Sequence, residues 1–243
     1  MDNRIALVTG ASRGIGRSVA LKLAAAGYSI VVNYSRAAAD AELVVSEVTN
    51  IGGKAKAVQA DVSVAADVVR LFDESAAAFG KIDVVVSNAG VMSAMPLAQV
   101  EDAEFERVIS ANLRGSFYVS REAARRLPDG GRLILLSSTT LALNAPGYSV
   151  YNATKGAVEG MARVAAKELG GRGITVNAVA PGPVETELFM AGKSEELVQR
   201  MAAMAPAGRL GQPEDIANIV AFLASPEAGW INGQVIRANG GIA

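Results

Sequence analysis

Short apolar, β-branched runs alternate with longer stretches of helical period along the whole chain. The strand-like runs cover 5–9, 30–33, 55–60, 82–87, 132–137, 174–180 and 234–237. Between them, apolar residues recur every three to four positions over 14–26, 37–51, 64–79, 101–127, 150–170 and 213–224, the spacing of one buried helix face. The strand-like runs are nearly continuous in their apolar character, as parallel strands covered on both faces are. Repeated β–α units of this kind predict an α/β fold with a single doubly wound, Rossmann-type parallel sheet of about seven strands, helices on both faces. Ligands of such sheets bind beyond the carboxyl ends of the strands, near the point where strand order reverses. No linker, repeat or low-complexity tract interrupts the pattern, so 1–243 is expected to be one domain. One long irregular stretch, 183–211, carries prolines in and around a short helical piece; a segment of that length is expected to be a substrate loop or lid.

Composition narrows the chemistry. Of the 243 residues, 51% are hydrophobic and 19% charged, enough apolar surface for a large core. The net charge of −1 and the absence of a long basic run leave no footprint for nucleic acid or an anionic membrane. The basic stretch from Arg121 to Arg126, broken by Glu122 and alanines, reads as a solvated helix face. No apolar stretch approaches the roughly 18–20 residues of a membrane span, and MDNRIALVTG enters a strand pattern without a signal-peptide core. A cytoplasmic protein is expected. There is neither Cys nor His. Thiolate nucleophiles, Cys-based metal sites, Ser-His-Asp hydrolysis and imidazole bases are thereby excluded, and no metal site is expected. Proton chemistry must come from Tyr, Lys, Asp or Glu.

The turn Thr9-Gly10-Ala11-Ser12-Arg13-Gly14-Ile15-Gly16 lies between the first strand and the first helix. Glycines there let the backbone turn tightly against a pyrophosphate, and the helix N-terminus offers free N–H groups. After the second strand, a carboxylate contacting a ribose 2′-hydroxyl would mark NAD. The run is instead Val32-Asn33-Tyr34-Ser35-Arg36. Arg13 and Arg36 are placed to flank a 2′-phosphate with the Ser35 hydroxyl, at about 1.5–3 kcal/mol per charged hydrogen bond. Discounted for exposure, that predicts a preference for NADPH/NADP+ over NADH of roughly 10- to 1000-fold. Asp61-Val62 closes the third strand, positioned to receive the adenine amino group, and Asn88-Ala89-Gly90 closes the fourth, where small residues let a ribose lie on the backbone.

At the other end of the sheet, Ser137 and Ser138 follow the fifth strand, and Tyr151-Asn152-Ala153-Thr154-Lys155 opens a long helical stretch. Tyr151 and Lys155 are four apart and share one helix face. A free phenol has a pKa near 10 and is a poor acid–base catalyst at neutral pH. An ammonium about 5 Å away at an effective dielectric near 20 favours the phenolate by roughly 3 kcal/mol, about two pKa units. The phenol becomes a general acid for reduction and its phenolate a base for oxidation, with Ser138 hydrogen-bonding the substrate oxygen.

TGASRGIG, Asp61, Asn88-Ala89-Gly90, Asn112, Ser138, YNATK at 151–155 and PGPVET at 181–186 stand in the order and spacing of the short-chain dehydrogenase/reductase family. The chain resembles that family over essentially its whole length, and 3-oxoacyl-(acyl-carrier-protein) reductase-like members in particular. The resemblance implies that Tyr151 is the acid/base, Ser138 the substrate-oxygen partner, and Lys155 the nicotinamide-ribose ligand that lowers the Tyr151 pKa. It implies that Asn112 holds a proton-relay water, and that Pro181, Gly182, Val184 and Thr186 meet the nicotinamide end. The family's first amide of Asn-Asn-Ala-Gly is Ser87 here, which removes no catalytic group. By the same resemblance, the last strand and the helices near 101–127 and 150–170 build homotetramers. The face of Ala153, Ala157, Met161 and Ala165 would permit close helix contact, and core packing within the subunit accounts for it equally well.

The expected activity is NADPH-dependent reduction of a ketone or 3-oxoacyl carbonyl. An NAD(P)-dependent alcohol or sugar dehydrogenase would keep the same residues; a non-catalytic NADP-binding sensor would be expected to have lost Tyr151 or Lys155. Met92, Met95, Leu141, Leu143, Tyr148, Leu188, Phe189 and Met190 are bulky, apolar pocket candidates and favour a hydrophobic carbonyl compound, an acyl thioester being possible, over a naked sugar. A carrier-bound thioester would want basic surface, for which Arg125, Arg126 and Arg172 are available beside an opposing Asp129.

Overall fold

The structure is a computed structural model that describes residues 4–243; the first three residues of the N-terminal reading lie outside them. Seven parallel strands form one sheet in the order β3-β2-β1-β4-β5-β6-β7. They are β1 Ile5–Val8, β2 Ser29–Tyr34, β3 Ala55–Gln59, β4 Val84–Ser87, β5 Arg132–Leu136, β6 Thr175–Pro181 and β7 Val235–Ala238. The order reverses between β1 and β4, which pair directly with Ala6 opposite Val84 and Val8 opposite Val86.

Strand alternation divides the core into two layers. Ala6 and Val8 of β1, Ile30 and Val32 of β2, and Ile134 and Leu136 of β5 face one side. There they meet Val19 and Leu23 of α1 (Gly14–Ala25), Val44 and Val48 of α2 (Ala38–Asn50), and Ile216 and Val220 of α10 (Pro213–Ala224). Ile5, Leu7, Val31, Leu133 and Leu135 face the other. They meet Leu71 and Phe72 of α3 (Ala65–Phe79), Val119 and Ala123 of α5 (Gly115–Arg126), and Val158 and Ala162 of α7 (Ser149–Leu169). A strand covered on both faces has no polar side to show, which is why its sequence reads as a continuous apolar run.

Three elements depart from the expected pattern. The single helix over 101–127 is instead α4 (Asp102–Val108), a π-helical segment (Ile109–Arg114) and α5. A π segment inserts a residue into the helical ladder without altering the apolar period enough to be read from sequence. The 183–211 stretch is mostly helical, with α8 (Glu187–Met190) and α9 (Glu195–Met204), and a short α6 (Thr140–Leu143) follows β5. The basic stretch on α5 is not simply a solvated face. Glu122 is buried and binds Arg125 at 2.9 Å and Arg126 at 3.0 Å. The stripe Ala157, Met161 and Ala165 is half-buried beside the true core face of α7, and Ala153 is exposed.

Candidate active site

The glycine turn is pressed against the end of β4. Asn88 Nδ2 donates to the carbonyls of Thr9 (2.9 Å) and Gly10 (3.1 Å), while Thr9 Oγ1 accepts from the N–H groups of Asn88 (2.9 Å) and Ala89 (3.1 Å). Gly10 has φ +62°, and a Cβ there would lie 2.9 Å from Ala89 Cα. A Cβ on Gly16 would fall 2.3 Å from Gly10 O, so the first helix can approach the turn only without a side chain. Arg13 occupies the N-cap of α1 in extended conformation and makes no capping hydrogen bond. The opening N–H groups of α1, with half-buried Ser12 and Ile15 beside them, are therefore left for an anion. This cradle, shaped by backbone and closed to Cβ atoms, fits a dinucleotide pyrophosphate.

Several expected cofactor residues have other duties. Asn33 is buried. Its Oδ1 accepts from Gly10 N (3.2 Å), and its Nδ2 donates to Ala60 O (3.1 Å) and Val58 O (3.3 Å). It braces the turn against β3. Tyr34 is half-buried, and Ser35 and Arg36 are exposed at the carboxyl end of β2. Asp61 Oδ1 accepts from Ser63 N (2.9 Å) and Ser63 Oγ (2.7 Å), while Val62 is buried under α5. Arg13 pairs with Glu187 at 3.7 Å, both side chains largely exposed.

Tyr151 stands in the first turn of α7 and Lys155 one turn on, as the spacing requires. Ser138 lies close to the Tyr151 hydroxyl, and its Oγ accepts from Thr140 Oγ1 (2.9 Å) and Thr140 N (3.2 Å). The ring of Tyr148 packs edge-on against Tyr151 with centroids 6.2 Å apart. Lys155 is buried, donates to Leu136 O at 2.8 Å and lies 5.6 Å from the Tyr151 ring centroid. Burial pushes the Tyr151 phenol up to about 12, against the influence of Ser138 and with Tyr148 adding to the rise. Burial pulls Lys155 down to about 8. The expected lowering of the phenol by the ammonium is therefore not what the protein groups produce alone. Burial is the largest influence on both groups, and the cation faces the ring and spends a hydrogen bond on a carbonyl.

Asn112 lies in the π segment, fully buried. Its Oδ1 accepts from Val91 N (2.8 Å), and its Nδ2 donates to Val91 O (2.9 Å) and Thr154 Oγ1 (3.3 Å). Both amide protons are used within the chain, so the side chain fastens the segment after Gly90. A Cβ on Gly90 would sit 3.0 Å from Asn112 Oδ1. Sequence reasoning missed Glu159, which accepts from Ser137 Oγ at 2.7 Å and so ties α7 to the residue beside Ser138. Its position four after Lys155 puts it on the same helix face, the one signal that could have found it.

The 183–211 segment is anchored at both feet. Pro181 O accepts from Thr139 N (2.9 Å), Gly182 N donates to Ala238 O (2.9 Å), and buried Val184 bridges Gly211 in parallel. Thr186 caps α8 by accepting from Phe189 N at 3.1 Å, and its methyl would meet a Cβ on Gly14 at 3.4 Å. Of the expected pocket residues, Phe189 is buried, Leu188 and Met190 are exposed, and Met92, Met95, Leu141, Leu143 and Tyr148 are half-buried. Met95 N donates to Gly147 O at 2.8 Å, joining the two loops on either side of Tyr148 and Tyr151.

Residues 10–243 match the family model described as enoyl-(acyl carrier protein) reductase. A short chain dehydrogenase, claC, of Passalora fulva is 46% identical over 255 residues, covering 100% of this chain and 96% of that one. A short-chain dehydrogenase/reductase from Serratia marcescens superposes with a TM-score of 0.94 at 38% identity, covering 98% and 97% of the two chains. The angucycline C-6 ketoreductase LanV, solved with bound NADP, gives a TM-score of 0.92 at 37% identity, covering 98% and 95%. With the glycine turn, the Ser–Tyr–Lys set and the seven-stranded sheet in place, the chain belongs to the short-chain dehydrogenase/reductase family, oxidoreductases that work between carbonyl and alcohol with a nicotinamide cofactor.

Proposed function

We propose that this protein is an NADPH-dependent reductase that converts a ketone to the alcohol, with Tyr151 as proton donor. The observation that carries this reading is the placing of Ser138 beside Tyr151, one helical turn from buried Lys155 and on the same sheet edge as the glycine turn. Glycines 10, 14 and 16 and the uncapped start of α1 would hold the pyrophosphate, Asn88, Ala89 and Gly90 a ribose, and Pro181, Gly182, Val184 and Thr186 the nicotinamide end. Arg13 and Arg36, exposed at adjacent strand ends, would flank the 2′-phosphate.

The cofactor supplies the hydride. The chain supplies everything else. Ser138 orients the carbonyl oxygen and Tyr151, protonated across the physiological range because burial raises its pKa, delivers the proton to it. Lys155 holds the nicotinamide ribose and adds positive charge behind the ring. The half-buried apolar residues around Tyr148 favour a hydrophobic ketone over a sugar, and the likeness to an angucycline ketoreductase agrees with that class.

Among the described residues no helix is long and apolar enough to cross a membrane. The half-exposed Phe105 on α4, Phe117 on α5 and Val164 on α7 support assembly as a cytoplasmic homotetramer through those helices. Loss of NADPH absorbance on mixing the enzyme with cyclic, aromatic and linear ketones and acetoacetyl thioesters tests the activity. Turnover of none of them sinks it.

A further inference from the structure

Between β4 and the short 3-10 turn at Leu97–Gln99, residues 91–95 form no regular structure, yet backbone groups at Val91, Met92 and Met95 are held from other elements. Asn112 takes both the N–H and the carbonyl of Val91. Arg107 Nη2 donates to Met92 O at 3.0 Å. Buried Ser93 lies near the Glu104 carboxylate, and Met95 N donates to Gly147 O at 2.8 Å. Glu104 and Arg107, three apart on α4, grip one another through two bonds, Nε to Oε2 at 2.7 Å and Nη2 to Oε1 at 2.8 Å.

A bidentate carboxylate–guanidinium pair fixes direction as well as distance. With its guanidinium held by Glu104, Arg107 turns its other Nη2 proton to the carbonyl of Met92. We propose that Glu104 and Arg107 are positioning residues for substrate selectivity: they hold 91–95 as a stiff wall that sets Met92 and Met95 beside the Tyr148–Tyr151 end of α7. The proposal rests on the ketone-reductase reading for its kinetic arm but not for its structural one. Neither residue touches the reacting atoms. The pair acts by denying the loop the alternative conformations that an unstructured five-residue segment would otherwise sample.

A stiff wall discriminates by shape. A bulky ketone that leans on the methionines needs the wall in place; a small one does not. The holding pair is acidic and basic in equal measure, and the Arg107 guanidinium keeps the Glu104 carboxyl down at about 2. Selectivity should therefore be flat from weakly acidic to weakly alkaline pH.

The test uses the full chain with Glu104→Ala, Glu104→Gln and Arg107→Ala, in three measurements. These are kcat/KM for a bulky cyclic ketone against a small linear one, the Kd of NADPH, and hydrogen exchange of the 91–95 amides. For Glu104→Ala and Arg107→Ala the bulky-to-small ratio should fall roughly tenfold, the effect of one lost charge-assisted hydrogen bond. The loss should lie mainly in KM, with exchange at 91–95 faster and NADPH affinity unchanged. Glu104→Gln, which keeps an acceptor for Arg107, should recover most of the ratio. An unchanged ratio in the alanine variants, or unchanged exchange at 91–95, overturns the proposal. If the wild-type protein turns over no ketone, the proposed function falls, while the exchange measurement still decides whether the pair holds the loop.

Discussion

Lys155 approaches the ring of Tyr151 to 5.6 Å and donates its hydrogen bond to the carbonyl of Leu136, not to the phenol. A buried cation in this position is costly to the fold, and pH reveals the cost. Lys155 has a pKa of about 8 in the folded protein against an ordinary value of 10.5. Below pH 8 both folded and unfolded chains carry the proton, and the penalty is fully present. Between 8 and 10.5 the unfolded chain binds more protons, so stability rises with pH, by up to about 3 kcal/mol. Tyr151 acts in the opposite sense above pH 10, where its raised pKa makes the folded state the better proton binder. Urea unfolding without cofactor should show wild type gaining stability between about pH 8 and pH 10. Lys155→Met should lack that gain; an identical rise in both would show that another group titrates.

Tyr151→Phe removes the transferable proton and leaves the ring in place. Turnover should drop about 10²- to 10⁴-fold, while NADPH affinity stays within about threefold, a difference of under 1 kcal/mol. Activity near wild type would mean that another group delivers the proton.

Arg13 and Arg36 should decide the nucleotide. Neutralising both should shift the ratio of kcat/KM for NADPH over NADH toward NADH by roughly 10- to 1000-fold. Arg13 is shared with Glu187 across 3.7 Å of largely exposed surface. A pair of that kind is worth at most about 1 kcal/mol. Glu187→Gln should therefore tighten NADPH by no more than about fivefold and leave NADH alone. Titration of each dinucleotide by fluorescence quenching checks both.

Gly16→Ala places a methyl 2.3 Å from Gly10 O and 2.6 Å from Asn88 Nδ2. Both neighbours belong to the turn's own hydrogen-bonded framework, so the turn must move. Overpacking of this sort costs about 1–3 kcal/mol. NADPH binding should weaken more than tenfold, with the melting temperature lowered as well. A variant that binds NADPH normally would argue against this cradle.

The sequence reading located what depends on local periodicity. Seven apolar runs became seven strands, because the five inner ones are covered on both sides and need no polar face. Tyr151 and Lys155 were legible because a four-residue step on a helix is fixed geometry. Asn33 and Asn112 carry structural duties that the sequence did not show. Each sits at an expected cofactor or relay position, yet a buried amide is claimed by whichever backbone groups lie nearest, and these lie on other elements. Asn33 serves Gly10, Val58 and Ala60; Asn112 serves Val91 and Thr154. Such long-range satisfaction leaves no trace in spacing. The π segment, the buried Glu122 and the Glu104–Arg107 pair were hidden for the same reason. The helices of the 183–211 segment were hidden by its flanking prolines, which mark the ends of a segment and not its interior.

The parallel bridge between Val184 and Gly211 stitches together two points 27 positions apart. The stretch it encloses is thus a cassette with fixed sockets. Its inner span, 188–204, could be exchanged for that of another family member, or lengthened, without transmitting the change to β6 or to the turn that grips the pyrophosphate. Diversity of substrate can accumulate there while the hydride chemistry stays where it is.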